Sequence, residues 1–391
     1  MRPHWQNCIT HRNSRVDEFV SDYFSQPHRR CLLVGGAGFD PRALQVPRLL
    51  QKVLGPRLDA FMIREERGNP TQNLQSRADT NETDLRSLIA GCSVTKVQIF
   101  ADDGAPVGGA RVASELKKFS MPADLTDIVL DMSALSIGIG FPAARFLLEY
   151  SERHPELSFH LMITSNPTLD ARISSEPDDR VMSVRGYAGA LPPRILPIAQ
   201  IWLPQLAHGR AAALTSIRAS LEGVYRTCPM LPFPAENPRR ADELITEYGS
   251  QLRDDWEVHE GDLIYASEHN PLDSYRTISA LKRRYDEVVE EVYEPQLILS
   301  PVGSKVMAAG AMMAAIEHDL PVHYVETVRY DLPPSPRGNG AASADQIAHV
   351  WLDGPIYGGL IASSQLPSNT ATLAGGPQVP SLDANAPQHA A

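Results

Sequence analysis

At 391 residues the chain is longer than one typical hydrophobic core, so two domains are expected. With 43% hydrophobic and 21% charged residues it has a globular composition, and a formal charge of −11 excludes a general basic face for long nucleic acid. Any anionic ligand must then be caught in a local pocket. The four cysteines are far apart without a CxxC pair, and the twelve histidines show no HExxH-like pairing, so no metal, disulfide framework or cofactor is expected. No apolar run reaches the roughly 18 residues of a membrane span, and the N-terminus lacks a signal-peptide core. A soluble cytoplasmic protein is expected.

Residues 1–30 read as a polar, helical extension, with a helix around Asp17–Phe24. The buried-strand run Cys31–Val34 ends in Gly35-Gly36-Ala37-Gly38-Phe39-Asp40-Pro41, and Ala43–Leu54 continues as helix. Gly36-x-Gly38 is a fragment of a dinucleotide fingerprint, and this corner is either a phosphate cradle or a simple turn. Strand and helix then alternate: Asp59–Arg64, Glu82–Ala90, Thr95–Ala101, Gly108–Lys118. Asp127–Asp131 is a further apolar strand. It delivers Asp131 and Ser133 to a glycine-rich stretch, and a helix opens at Phe141-Pro142. Ser158–Thr164 closes the series. Asp40, Asp131 and Ser133 all fall at carboxyl ends of strands, where open α/β sheets bind ligands. Helix capping or turn hydrogen bonding is the alternative reading for each.

The turn-rich segment Ser165–Pro193 holds a short strand at Val181–Arg185 and reads as a crossing between lobes or an inserted hairpin. The apolar run Ile195–Leu203 comes next, then a helical or mixed segment over Ala211–Glu222. Pro229, Pro232, Pro234 and Pro238 make a stiff extended path up to Arg240, on which Asn237, Arg239 and Arg240 either face a ligand or belong to a solvated loop. Arg240–Asp254 reads as helix and Val258–Ala266 as strand. That strand delivers Glu268 and His269, candidates for acid/base or ligand contact, to a helix over Pro271–Tyr285 with Leu272, Tyr275, Ile278, Leu281 and Tyr285 as its buried stripe.

In Gln296–Val325, an apolar run (Leu297–Leu299) meets a small-residue corner, Ser300-Pro301-Val302-Gly303-Ser304-Lys305. A helix with Met307, Gly310, Ala311, Ala314 and Ala315 on one face follows, and then the strand run Val322–Val325. This is a βαβ unit. Free amides at its helix start attract anions, Gly303 lets backbone approach a ligand, Ser304 caps or bonds a phosphate oxygen, and Lys305 adds a full charge. The spacing of a Walker A loop is missing. A Pro/Gly/Ser-rich break at Pro333–Ser343 precedes a last strand or helix at Ile347–Leu352. Residues 361–391 read as a low-complexity, disordered tail.

The alternation predicts an α/β fold of two Rossmann-like lobes with mostly parallel sheets, over residues 31–190 and 191–360. Ser300-Pro-Val-Gly-Ser-Lys-Val-Met resembles the Gly-Thr-Lys-x-Met motif of CARF domains, with Pro301-Val302 where that motif carries Gly-Gly. Asp131-Met-Ser133, followed by Phe141-Pro142 and a helix, is similar to the Asp-x-Ser/Thr strand end of the same superfamily. SAVED domains, fused pairs of such lobes, bind cyclic nucleotides within one chain. The resemblance implies that Ser304 and Lys305 hold a ligand phosphate, with Gly36, Gly38, Asp131 and Ser133 on the opposite wall. It implies a nucleotide-like small-molecule ligand and a separate effector protein in prokaryotic antiviral defence. Two other readings stand beside it. One is an enzyme acting on a nucleotide or sugar phosphate, with Asp40, Asp131 or Glu268 as acid/base. The other is a ligand-free subunit of a larger complex.

Overall fold

The computed structural model describes residues 5–189, 196–289, 292–333 and 345–357. A short strand, β1 (Thr10–Arg12), and helix α1 (Ser14–Tyr23) come first. Three β–α steps follow: β2 (Cys31–Gly36) with α2 (Gln45–Leu54), β3 (Leu58–Glu66) with α3 (Gln72–Leu88), and β4 (Gly91–Gln98) with α4 (Gly108–Lys118). After them come β5 (Asp127–Asp131), α5 (Ile137–Glu152) and β6 (Ser158–Ser165). Every residue of β2, β5 and β6 is buried, which is why these runs are largely apolar and do not alternate between apolar and polar residues. The five strands β2–β6 are mutually parallel in the order β4-β3-β2-β5-β6, a Rossmann-like arrangement with its switch point between β2 and β5.

The second half repeats the plan. A single helical turn, α6 (Pro167–Asp170), leads to β7 (Ser174–Ser183), then β8 (Ile198–Pro204), α7 (Ala211–Ser220), β9 (Val224–Thr227), β10 (Met230–Pro232), α8 (Arg240–Glu247) and β11 (Ile264–Ala266). The chain continues with α9 (Pro271–Val289), β12 (Glu294–Ser300), α10 (Lys305–His318), β13 (His323–Asp331) and β14 (Gln346–Asp353). β9 and β12 flank β8 in parallel, β10 pairs with β11, and the bridges Gln205–Met230 and Leu299–Val322 tie these pieces into one array. Its order, β11-β10/β9-β8-β12-β13, matches that of the first sheet. Each sheet is then completed by the other half. β7 lies antiparallel on β13, and β14 lies antiparallel on β6.

Three sequence expectations change here. The break at 190/191 does not separate the sheets, because β7 and β14 cross it in opposite directions. Residues 10–12 are not a detached extension, since β1 pairs with β14 at the sheet edge. The helix expected from Phe141 starts at Ile137 and holds Pro142 inside it. The Gly138 carbonyl, which Pro142 cannot bond, lies where a side chain on Gly109 would come within 2.9 Å, so α4 and α5 sit close. The tail 361–391 and, apart from Pro333, the break at Pro333–Ser343 lie outside the described residues.

At the amino ends of the strands, His160, His349 and His11 stand on neighbouring β6, β14 and β1. His160 Nδ1 lies 3.0 Å from His349 Nε2, and His349 Nδ1 lies 2.9 Å from His11 Nδ1. His160 Nε2 reaches Asp127 Oδ1 at 3.2 Å. Burial pushes Asp127 up, but hydrogen bonds from His160 and Thr126 outweigh it and leave the carboxyl below its usual range. Burial lowers His160 and drives His349 well below 6.5. An anionic Asp127 therefore faces a neutral row, in which His160 donates to Asp127 and His349 to His160. The unfolded chain binds more protons than this row below about pH 6.5, so the row's contribution is complete above that value and is lost as pH falls. Thermal stability is expected to drop between about pH 6.5 and 5, and less so in His349→Leu. Equal slopes in the two proteins would contradict this.

Candidate functional site

A cleft of about 440 Å³ opens at the carboxyl ends of the strands of both sheets, a size suited to a small-molecule ligand. From the first half come Gly38 and Asp40 after β2, Arg67 after β3 and residues 134–138 at the start of α5. From the second half come residues 206–210 after β8, Arg240, Glu268 and residues 302–305 before α10. The glycine corner and the lysine corner thus line one hollow.

The lysine corner is an open helix start. Ser304 caps α10 by accepting the Met307 N–H at 3.2 Å. Among the described residues, no group accepts from the backbone N–H of Gly303, Ser304 or Lys305. Lys305 Nζ donates to the Leu135 carbonyl at 2.6 Å, joining α10 to the loop before α5. Burial, reinforced by the nearby charge of Arg42, lowers its ammonium below the usual lysine value. The helix itself is enclosed on every side, with Val306 through Ile316 buried, so its small residues serve close packing all round and not on one face alone.

The glycine corner is more self-contained. Asp40 caps the turn Pro41–Leu44 through the Arg42 N–H at 2.9 Å, and also holds the Arg42 guanidinium at 2.9 and 2.7 Å. Burial pushes Asp40 up, but the charge and hydrogen bonds of Arg42 outweigh it and keep the carboxyl below its ordinary value. A side chain added at Gly38 would meet nothing within 4 Å.

Six of the ten residues singled out in the sequence line the cleft: Gly38, Asp40, Glu268, Gly303, Ser304 and Lys305. Four do not. Gly36 is a packing glycine, since a Cβ there would lie 2.7 Å from the Ala134 carbonyl. Asp131 accepts from the Ser133 N–H at 2.9 Å and from the Ser133 hydroxyl, and burial pushes its carboxyl up to about 6. Ser133 also accepts the Thr164 N–H at 2.7 Å, so this pair fastens β5 to β6. Ser300 accepts the Trp202 indole N–H at 2.9 Å inside the second sheet. The side chains of Asp131, Ser133 and Ser300, like the close-packed Gly36, face the protein interior, a direction that strand-end position alone does not specify.

Sequence reading missed the cross-sheet network of Arg67. Its guanidinium pairs with Glu65 at 2.8 Å and Glu326 at 3.0 Å, and Nε donates to the Thr327 carbonyl at 2.8 Å. Glu65 also accepts the Ser136 N–H at 2.7 Å, at the start of α5. The α5 start therefore carries a resident carboxylate, whereas the α10 start does not. Arg67 directly follows β3, so the strand-end rule that marked Asp40 would have found it. Arg210, also unmarked in the sequence, lines the cleft, as does Arg240 from the proline-rich path, whereas Asn237 and Arg239 do not.

Among the described residues no group of three or more His, Cys, Asp or Glu is placed to hold a metal ion, and no helix is long and apolar enough to cross a membrane. No family model matches the chain, and no curated protein matches it. Among solved structures, a human methyltransferase 10 domain containing protein is similar over 41% of this chain and 71% of its own, at 12% identity and a TM-score of 0.20. The chain's Rossmann-like α/β class rests on its own strand order.

Proposed function

We propose that this chain is a sensor module that binds a nucleotide-derived, phosphorylated signal in the cleft and acts on a separate effector. Its ligand is a cyclic oligonucleotide or a related phosphorylated molecule, in the manner of CARF and SAVED domains and in the setting of prokaryotic antiviral defence. One observation carries the reading: two strand-end corners from two like-ordered sheets line a single hollow. Unpartnered amides at the start of α10, with Lys305 beside them, suit an anionic group. Asp40, Glu65 and Glu326 are each tied to an arginine, which favours holding a shape over moving protons and so favours a sensor over an enzyme. A ligand phosphate competes with the Leu135 carbonyl for the Lys305 ammonium, and so couples binding to the contact between the halves.

The test is calorimetric binding of cyclic and linear oligonucleotides, with mass analysis of the ligand afterwards. The ligand is expected back unchanged, and Lys305→Ala is expected to weaken binding by about 1–3 kcal/mol, the range for losing a charge-assisted bond. Turnover of the ligand, or unaltered affinity in the variant, would overturn the proposal.

A further inference from the structure

Glu268 is a buried carboxylate without a cation. It follows β11, is 6% exposed and lines the cleft. Its Oε2 accepts the Glu236 backbone N–H at 3.1 Å, while among the described residues no donor reaches Oε1 and no ion pair forms. At the same end of the cleft Arg240 opens α8. Its Nε is buried without an acceptor, and its guanidinium makes no ion pair among the described residues. A group that only accepts and a group that only donates thus share one end of the hollow without pairing. Arg240 Nε, buried without an acceptor, is costly to leave unanswered, and Glu268 Oε1 is free to accept from a donor in the cleft, so a ligand there can answer both. Phosphate would satisfy Arg240 and repel Glu268. A ligand that satisfies both offers an N–H donor next to an acceptor.

Position narrows the choice. β11, β10, β8 and β12 are successive neighbours. Glu268 is therefore three strand spacings, about 14 Å, from the start of α10. A nucleotide unit with its adjoining phosphates covers such a distance. We infer that Glu268 reads the exocyclic amino group of a nucleobase while Arg240 donates to the ring nitrogen beside it. This deepens the proposed nucleotide binding and rests on it.

A matched pair of probes reverses the edge that Glu268 and Arg240 would read. Adenine offers an amine beside the acceptor N1, whereas hypoxanthine offers an oxo group beside N1–H, so the 5′-phosphorylated dinucleotides pApA and pIpI are titrated against the full chain, with inorganic pyrophosphate as a probe lacking a base. The wild-type protein is expected to bind pApA roughly tenfold or more tightly than pIpI, the size of one hydrogen bond to a charged group. Glu268→Gln, whose amide donates as well as accepts, is expected to erase or invert that ratio while pyrophosphate binding is retained. Retained pyrophosphate binding shows that the variant is folded. If it is not retained, Arg240→Met serves instead and is expected to lower the pApA-to-pIpI ratio. Equal wild-type affinity for the two dinucleotides, or an unaltered ratio in the folded variant, overturns the base reading and leaves the anion cleft standing. Failure of the wild type to bind all three probes overturns both.

Discussion

Arg67→Ala is expected to cost about 3–5 kcal/mol of folding stability, the range for removing one partner of a buried ion pair. Arg67 is 10% exposed and holds Glu65, Glu326 and the Thr327 carbonyl at once, with its guanidinium carbon 5.0 Å from the centre of the Tyr330 ring. Burial already pushes Glu326 up, Arg67 opposes that rise, and Glu65 adds to it. Without the arginine, two carboxylates face each other across the halves of the cleft. A carboxyl whose folded value lies above its unfolded one stabilises the fold at low pH and loses that contribution as pH rises. The deficit of Arg67→Ala should therefore be smaller at pH 5 than at pH 8. Urea unfolding at both values reads it directly, and a loss below about 1 kcal/mol at pH 8 would show that water replaces the guanidinium cheaply.

Gly310→Ala is expected to destabilise by about 3 kcal/mol, at the upper end for overpacking, and Gly310→Val to prevent folding. A Cβ at position 310 would stand 2.1 Å from the Pro271 carbonyl oxygen, 2.7 Å from Ser274 Cβ and 2.9 Å from the Tyr275 nitrogen. Two of these are backbone atoms in the first turn of α9, so relief requires moving the helix as a body. Ala311, one residue on, already carries its methyl in the core. Gly38→Ala is the control, because the space there is open. It should change the melting temperature little, and comparable losses at positions 310 and 38 would refute the packing argument.

Elements with a clear local pattern were plain in the sequence. Asp127–Asp131, buried throughout, and Gly108–Lys118, an amphipathic helix with Gly108, Val112 and Leu116 buried, have the expected limits, since local patterning and flanking turns set them. The region 258–266 was harder. Only Ile264–Ala266 is strand, because the preceding residues pack as irregular turns around Trp256 and Asp262. The partnership of β7 with β13 was not legible. The segment Ser174–Ser183 is polar and half exposed, and nothing local indicates which edge it will join. In the candidate site, strand-end position found the lysine corner and Glu268 but also selected Asp131 and Ser300. Telling cleft from interior requires knowing which way a side chain turns beyond the strand, and tertiary packing decides that.

The exchange of β7 and β14 also constrains how the protein is made. A growing chain that has produced β2 through β6 lacks the neighbour β6 needs, since β14 is separated from it by nearly the whole second half. The usual economy of synthesis, one domain folded while the next is still being translated, is closed to this protein. A long unsealed sheet edge must wait beside the ribosome until β14 arrives, and such an edge invites aggregation.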